Sequence, residues 1–140
     1  MALELTGSGG IALLLARVLV GGVLAFMGLN HFMQTEDMAG YAQMKGVPAP
    51  TLAVTFSGGM LVFGGLSIVL GAYAAIGAGA LALFLLVTTP MMHDFWTMDD
   101  PEQQQSEMIN FLKNVGLLGA VLAFLVLAGT QWPYAIGVGL

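Results

Sequence analysis

From Thr51 to Met92 the chain runs 42 residues without one charged side chain. No other feature constrains the fold so tightly. As a single helix this run would be about 63 Å long, twice the ~30 Å hydrocarbon thickness of a bilayer. It therefore crosses lipid and folds back on itself. The turn belongs at Gly71-Ala72-Tyr73, where a glycine stands beside an interfacial aromatic. That divides the run into spans at about residues 51–70 and 74–92, an antiparallel pair with a very short connection. Composition agrees. Only 8% of the 140 residues are charged, whereas a soluble domain carries about 25% and needs them to coat its surface. At 58% apolar the chain is not disordered. Arg17, Lys45 and Lys113 are the only cations and the net charge is −5, which excludes a nucleic-acid partner. The absence of cysteine rules out disulfides, thiol catalysis and thiolate metal sites.

Two further spans complete the count. One covers about residues 11–33, interrupted by Arg17 and by Asn30-His31 near its end. The other covers about 108–128. The helix of this last span starts earlier. Asp99-Asp100 supplies an N-cap, Pro101 the first helical position and Glu102 an acid in the first turn. The expected fold is all-α: an integral membrane four-helix antiparallel bundle, forming a single membrane domain over residues 1–140. Residues 1–10 and 130–140 read as short tails. The opening segment is not a signal peptide, because no basic region precedes it and Arg17 lies inside it.

Four spans place the loop 34–50 and the loop 93–107 on the same side. Both termini and the 71–73 turn fall on the other. The loop side collects Glu36, Asp37, Asp94, Asp99, Asp100, Glu102 and Glu107, with Lys45 and, just inside the membrane, Lys113. The terminal side has only Glu4 and Arg17. Tyr41, Phe95 and Trp96 mark one interface, and Tyr73, Trp132 and Tyr134 the other. A multi-pass cell-membrane protein with cytoplasmic termini and outward acidic loops is expected. The count of Lys and Arg biases that orientation only weakly.

Polar side chains in hydrocarbon are costly and tend to be paired or functional. Here they gather at the loop-side boundary. Asn30 and His31 end the first span, and His93 and Asp94 follow the third. Asn110, Lys113 and Asn114 open the fourth at i, i+3, i+4, on one helical face. Tyr41 and Lys45 add to them from the 34–50 segment. Such an arrangement makes a polar pocket with an apolar floor, suited to an amphipathic ligand. A quinone fits, since histidine, lysine, asparagine or tyrosine can donate to its carbonyl oxygens and histidine can move protons. Two histidines at similar depth also match bis-histidine haem ligation, a weaker match because both rings must face inward. No metal site is expected. A plainer role stands beside these. Interfacial polar groups cap helix ends, asparagines bond between helices, and Lys113 snorkels or pairs with Asp94.

Arg17 is separate, about 20 Å along the helix from Asn30. It either snorkels to the terminal-side headgroups or packs inward on backbone carbonyls of a neighbouring helix. Pro90 frees the carbonyl of Leu86, so a kink is expected just before His93. Gly58-Gly59, Gly64-Gly65 and the pairs Gly21/Ala25, Ala74/Ala78 and Gly116/Ala120 suit close helix approach. The ten methionines read as core filler.

Arg17-Val18 with Gly21, then Gly28-Leu29-Asn30-His31-Phe32, resembles the first helix of the DoxX-like membrane family. Gly46-Val47-Pro48-Ala49-Pro50 and Phe63-Gly64-Gly65-Leu66 are similar to the approach to its second helix and the glycine pair within it. Phe111-Leu112-Lys113-Asn114, followed by Gly116 and Gly119, resembles its fourth. The resemblance implies a small four-helix membrane protein. Some members are implicated as the membrane subunit of a thiosulfate:quinone oxidoreductase, and others as partners of redox or sulfur enzymes. Two positions depart. Many relatives carry a glutamate before the second-helix glycine pair, where Leu61 stands, and a basic residue after the following turn, where Ala74-Ala75 stand.

The expectation is an accessory redox protein, at most a subunit of an oxidoreductase. It would bind a quinone or other lipophilic ligand, or dock a soluble redox partner through its acidic loops. Self-association into a homo-oligomer is a further expectation. Asn30, His31, Tyr41, His93, Lys113 and Asn114 would form the ligand site, with no catalytic residue assigned. The alternative is a non-catalytic scaffold or chaperone-like membrane protein whose polar residues lock the bundle.

Overall fold

The computed structural model describes residues 6–139. The order is α1 (Gly7–Met33), α2 (Thr35–Met44), α3 (Pro50–Leu70), α4 (Ala74–Met92), a 3₁₀ turn at Phe95–Thr97, and α5 (Pro101–Leu127). Helices α1, α3, α4 and α5 are long and apolar enough to cross a membrane. The protein is an all-α integral membrane bundle.

Local sequence explains the helix ends. Asp100 is in extended backbone, Pro101 takes the first helical turn of α5 and Glu102 follows it. The Asp100 carbonyl accepts the Gln104 N–H at 2.9 Å. Between α3 and α4 the backbone turns through left-handed conformations at Gly71 (φ +66°) and Tyr73 (φ +52°). Glycine adopts this region freely and tyrosine does so at a cost. Tyr73 is held there by its N–H, which donates to the Val138 carbonyl at 2.7 Å.

Helix α1 packs on α3, α3 on α4 and α4 on α5, while α1 and α5 scarcely meet. The bundle is thus open along one seam. Glycine sets the closest approach. A Cβ on Gly21 would stand 2.5 Å from the Gly65 oxygen, and one on Gly28 2.7 Å from the Gly58 oxygen. Not every expected small residue serves this purpose: a Cβ on Gly59 or Gly116 would meet nothing within 4 Å. Leu24, Leu61, Ile68, Leu81, Leu85 and Val121 are fully buried between the helices. Leu19, Phe26, Leu86 and Val126 are exposed, which is where lipid supplies the apolar surroundings.

Three segments differ from the sequence expectation. The stretch read as the loop 34–50 contains α2, whose Ala39 and Ala42 bury against Val54. The stretch read as an N-terminal tail enters α1 at Gly7, while Glu4 lies outside the described residues. The C-terminal tail doubles back on the α3–α4 turn. Ile136 N–H donates to the Leu70 carbonyl and Gly137 N–H to that of Gly71, each at 2.9 Å.

Arg17 holds that tail. It does not reach the headgroups but is fully buried. Its Nε donates to the Ile68 carbonyl at 3.0 Å and Nη2 to Val69 at 2.7 Å. Nη1 donates to Pro133 at 2.7 Å and Nη2 also to Tyr134 at 3.1 Å. The Trp132 ring centroid is 5.3 Å from the guanidinium carbon. Ile68 and Val69 lie in the last turn of α3, where carbonyls lack helical partners and the helix dipole is negative. A planar cation with five donors satisfies them and two tail carbonyls together.

Candidate functional site

A cavity of about 1310 Å³ lies among the loop-side parts of the helices. Each helix gives it one face at helical spacing: Val23, Met27 and His31 from α1; Ala53, Ser57 and Met60 from α3; Phe84, Thr88 and Met91 from α4; Asn110, Lys113, Asn114 and Leu117 from α5. Helix α2 adds Asp37, Met38 and Tyr41. From His31 to Val23 is about 12 Å of helix axis, so the cavity reaches from the loop-side boundary towards mid-membrane. Its deep part is lined by methionine, leucine, valine and phenylalanine. Its polar residues are at the loop-side end.

His31 stands where α1 crosses α3, and Gly58 makes room for it. A Cβ on Gly58 would be 2.8 Å from the His31 Cβ. The ring is 8% exposed. Its Nδ1 lies 3.2 Å from the Val54 carbonyl and 3.2 Å from Ser57 Oγ. It meets Phe84 edge-on with ring centroids 6.1 Å apart. Position and tilt are therefore fixed by three contacts. Nε2 has no partner among the described residues.

The face of α5 that bears Asn110, Lys113 and Asn114 enters the same cavity. Asn114 is 7% exposed, and its amide has no hydrogen-bond partner among the described residues. The Thr89 hydroxyl is the sealed-in side-chain group without a partner among them; the Asn114 amide is not sealed but opens on the cavity. Lys113 is exposed and forms no ion pair among the described residues. The pairing with Asp94 that the sequence allowed it is made by Lys45 instead.

Lys45 and Asp94 join the end of α2 to the segment after α4. This hydrogen bond holds the Asp94 carboxyl below its ordinary range and the Lys45 ammonium above its own. Tyr41 O–H lies 3.4 Å from the Met92 carbonyl. Burial, then the negative charge of Glu107, push the Tyr41 hydroxyl up, so it remains a protonated donor. His93 Nδ1 lies 2.7 Å from Glu107 Oε2, linking the end of α4 to the first turns of α5. A histidine–carboxylate pair at a cavity mouth is suited to passing protons.

Five of the six residues expected at the site line this cavity: His31, Tyr41, His93, Lys113 and Asn114. Asn30 does not. It is half-buried, and its main-chain oxygen accepts the Gln34 N–H. Sequence reasoning passed over Ser57, Asp37 and Glu107. Ser57 was legible as the one hydroxyl three residues after Val54 on the inner face of α3, and Asp37 as an acid in the first turn of a helix. No group of three or more His, Asp or Glu capable of holding a metal ion occurs among the described residues. Leu61 is fully buried in the apolar core.

The model of the DoxX family matches residues 12–94. Those residues carry most of α1 and all of α2, α3 and α4, hence every helix that lines the cavity except α5. The chain belongs to the DoxX family. It is also 32% identical over 120 residues to the inner membrane protein YphA of Escherichia coli (strain K12), covering 86% of this chain and 83% of that protein. No solved structure matches the chain. This DoxX protein is a multi-pass membrane protein. Its family match stops at Asp94, before α5, the helix that supplies Asn110, Lys113 and Asn114.

Proposed function

We propose that this DoxX protein binds an amphipathic lipophile, a quinone by preference, and serves as an accessory membrane protein to a redox system. The observation that carries the reading is the division of one cavity into a deep apolar part and a loop-side polar part. The volume exceeds the 300–1,000 Å³ of an ordinary small-molecule pocket and suits a head group with a long tail. The open seam between α1 and α5 offers lateral access from the bilayer. His31 and Asn114 would hold the ring substituents, and Lys113 and Tyr41 would flank them. A bound quinone would supply two-electron, two-proton chemistry. The chain's own part is to orient the head, exclude bulk water with the Met27–Met60 floor, and move protons through His93 and Glu107. The acidic loops would dock a soluble redox partner on the outer face, with the termini cytoplasmic. Self-association is compatible with the exposed apolar faces.

The test is equilibrium binding of decylubiquinone and of its quinol to the protein in nanodiscs, against empty nanodiscs. Saturable binding of either form that falls roughly tenfold in both His31→Phe and Asn114→Leu, with melting little changed, supports the proposal. No binding above that of empty nanodiscs, with both variants merely less stable, would favour a structural scaffold.

A further inference from the structure

We propose that the head group recognised by His31 and Asn114 is a hydroxyl rather than an anion, so that of a quinone couple the quinol is the form they hold. This rests on the cavity holding an amphiphile and adds the chemistry of its head. The Val54 carbonyl, 3.2 Å from His31 Nδ1, can only accept, so Nδ1 carries the ring hydrogen. Ser57 strengthens the assignment. Its Oγ donates to the same carbonyl at 3.0 Å and so turns lone pairs, not a hydrogen, towards Nδ1 at 3.2 Å. With two acceptors on one nitrogen, neutral His31 has a bare Nε2. That nitrogen is unpartnered among the described residues, and the ring lines the cavity.

A bare imidazole nitrogen recognises a donor. An ether or ketone oxygen offers none, and a carboxylate or phosphate sets lone pair against lone pair. Asn114, also nine-tenths buried and without a partner among the described residues, brings an amide with one acceptor oxygen and two donor hydrogens. A hydroxyl answers both, giving its hydrogen to Nε2 and accepting one from the amide. The charges around the mouth do not favour an anion either. Lys113 lines the cavity but is offset by Asp37, which lines it too, and the charges of Lys45 and Asp94 are mutually engaged. The class of ligand is a long-chain or isoprenoid alcohol, phenol or quinol.

The probes are dodecanol and dodecyl methyl ether, alike in tail, the ether bearing a methyl where the alcohol bears its hydroxyl hydrogen. Partition into protein-bearing nanodiscs over empty ones gives the binding, and nitrogen NMR of the histidine rings gives the acceptor state of Nε2. The proposal expects dodecanol to bind roughly tenfold more tightly than the ether. It also expects a shift of the His31 Nε2 resonance with dodecanol alone. The preference should vanish in His31→Phe, which keeps a ring against Phe84, and shrink in Asn114→Leu. Equal binding of the two probes, or an unmoved Nε2 resonance, overturns the hydroxyl assignment while leaving the cavity reading standing. No binding of either probe, together with no binding of decylubiquinone or its quinol, overturns both.

Discussion

Arg17 shows most plainly what a single residue does in this fold. Four carbonyls, two from the last turn of α3 and two from the C-terminal tail, converge on one buried guanidinium. Arg17→Met keeps the length and loses every donor. The expected cost is about 3 kcal/mol, because carbonyls in a low-dielectric interior are left unpaired. Reversible unfolding in mixed detergent micelles measures it. Arg17→Lys should recover only part, since one ammonium cannot span both sets of carbonyls. The tail after Gly129 should become sensitive to protease in both variants, more so in Arg17→Met. Gly58→Val is a second residue-scale test. It places side-chain atoms where the His31 Cβ lies, so it should destabilise by about 1–3 kcal/mol and weaken ligand binding together. The sequence made Arg17 conspicuous but not its partners. Backbone carbonyls carry no side-chain signature, and the choice between headgroup and interior depended on a tail that read as unstructured. His31 and Asn114 were legible because helical spacing and the cost of polar groups in lipid point to the same end of the bundle. Asn30 shared that depth but not that face, since adjacent residues on a helix point about 100° apart.

Among the elements, α2 is attached electrostatically as well as through apolar contacts. Ala39 and Ala42 pack on Val54, and Lys45 pairs with Asp94, which Thr97 Oγ1 also contacts at 3.0 Å. The Asp94 pKa is depressed in the folded protein, so its contribution is present above the ordinary value of 3.8 and is lost as pH falls through the lower folded value. The Lys45 pKa is raised, so its contribution is full below the ordinary value of 10.5 and is lost as pH rises through the higher folded one. Amide exchange in α2, corrected for intrinsic rates, should therefore be slow at neutral pH and accelerate in strongly acidic buffer. Lys45→Met should flatten that dependence and raise exchange at neutral pH. An α2 whose protection ignores both changes would mean that the apolar contacts alone hold it. The helix itself was present in the sequence as Thr35 followed by two acids, with Met38, Ala39, Tyr41 and Ala42 at helical spacing. It was hidden because a ten-residue helix with few apolar residues gives no membrane-span signal. The long helices were readable for the opposite reason. A charge-free run must span or fold back, and glycine at position 71 marks where.

For the whole molecule, the confinement of charge to one end is the organising fact. Among the described residues the acids, the Lys45–Asp94 and His93–Glu107 contacts and the polar part of the cavity share the loop side, and Arg17 occupies the other as a structural cation. Because the chain has no cysteine, single-cysteine variants report orientation cleanly. Gln104→Cys should react with an impermeant maleimide in intact cells and Gln131→Cys only after lysis. The reverse pattern would invert the proposed orientation. The seam between α1 and α5 could not be read from the sequence, which fixes each helix's apolar content but not which pairs of helices fail to meet. The central claim is that this seam and the cavity behind it hold an amphiphile with its polar head at the loop side. The most direct measurement is an experimental density map of the protein in nanodiscs of native lipid. The account predicts elongated density with its broad end against His31 and Asn114 and its tail passing Met27 and Val23. A map with α5 closed onto α1 and no density between those residues would contradict it.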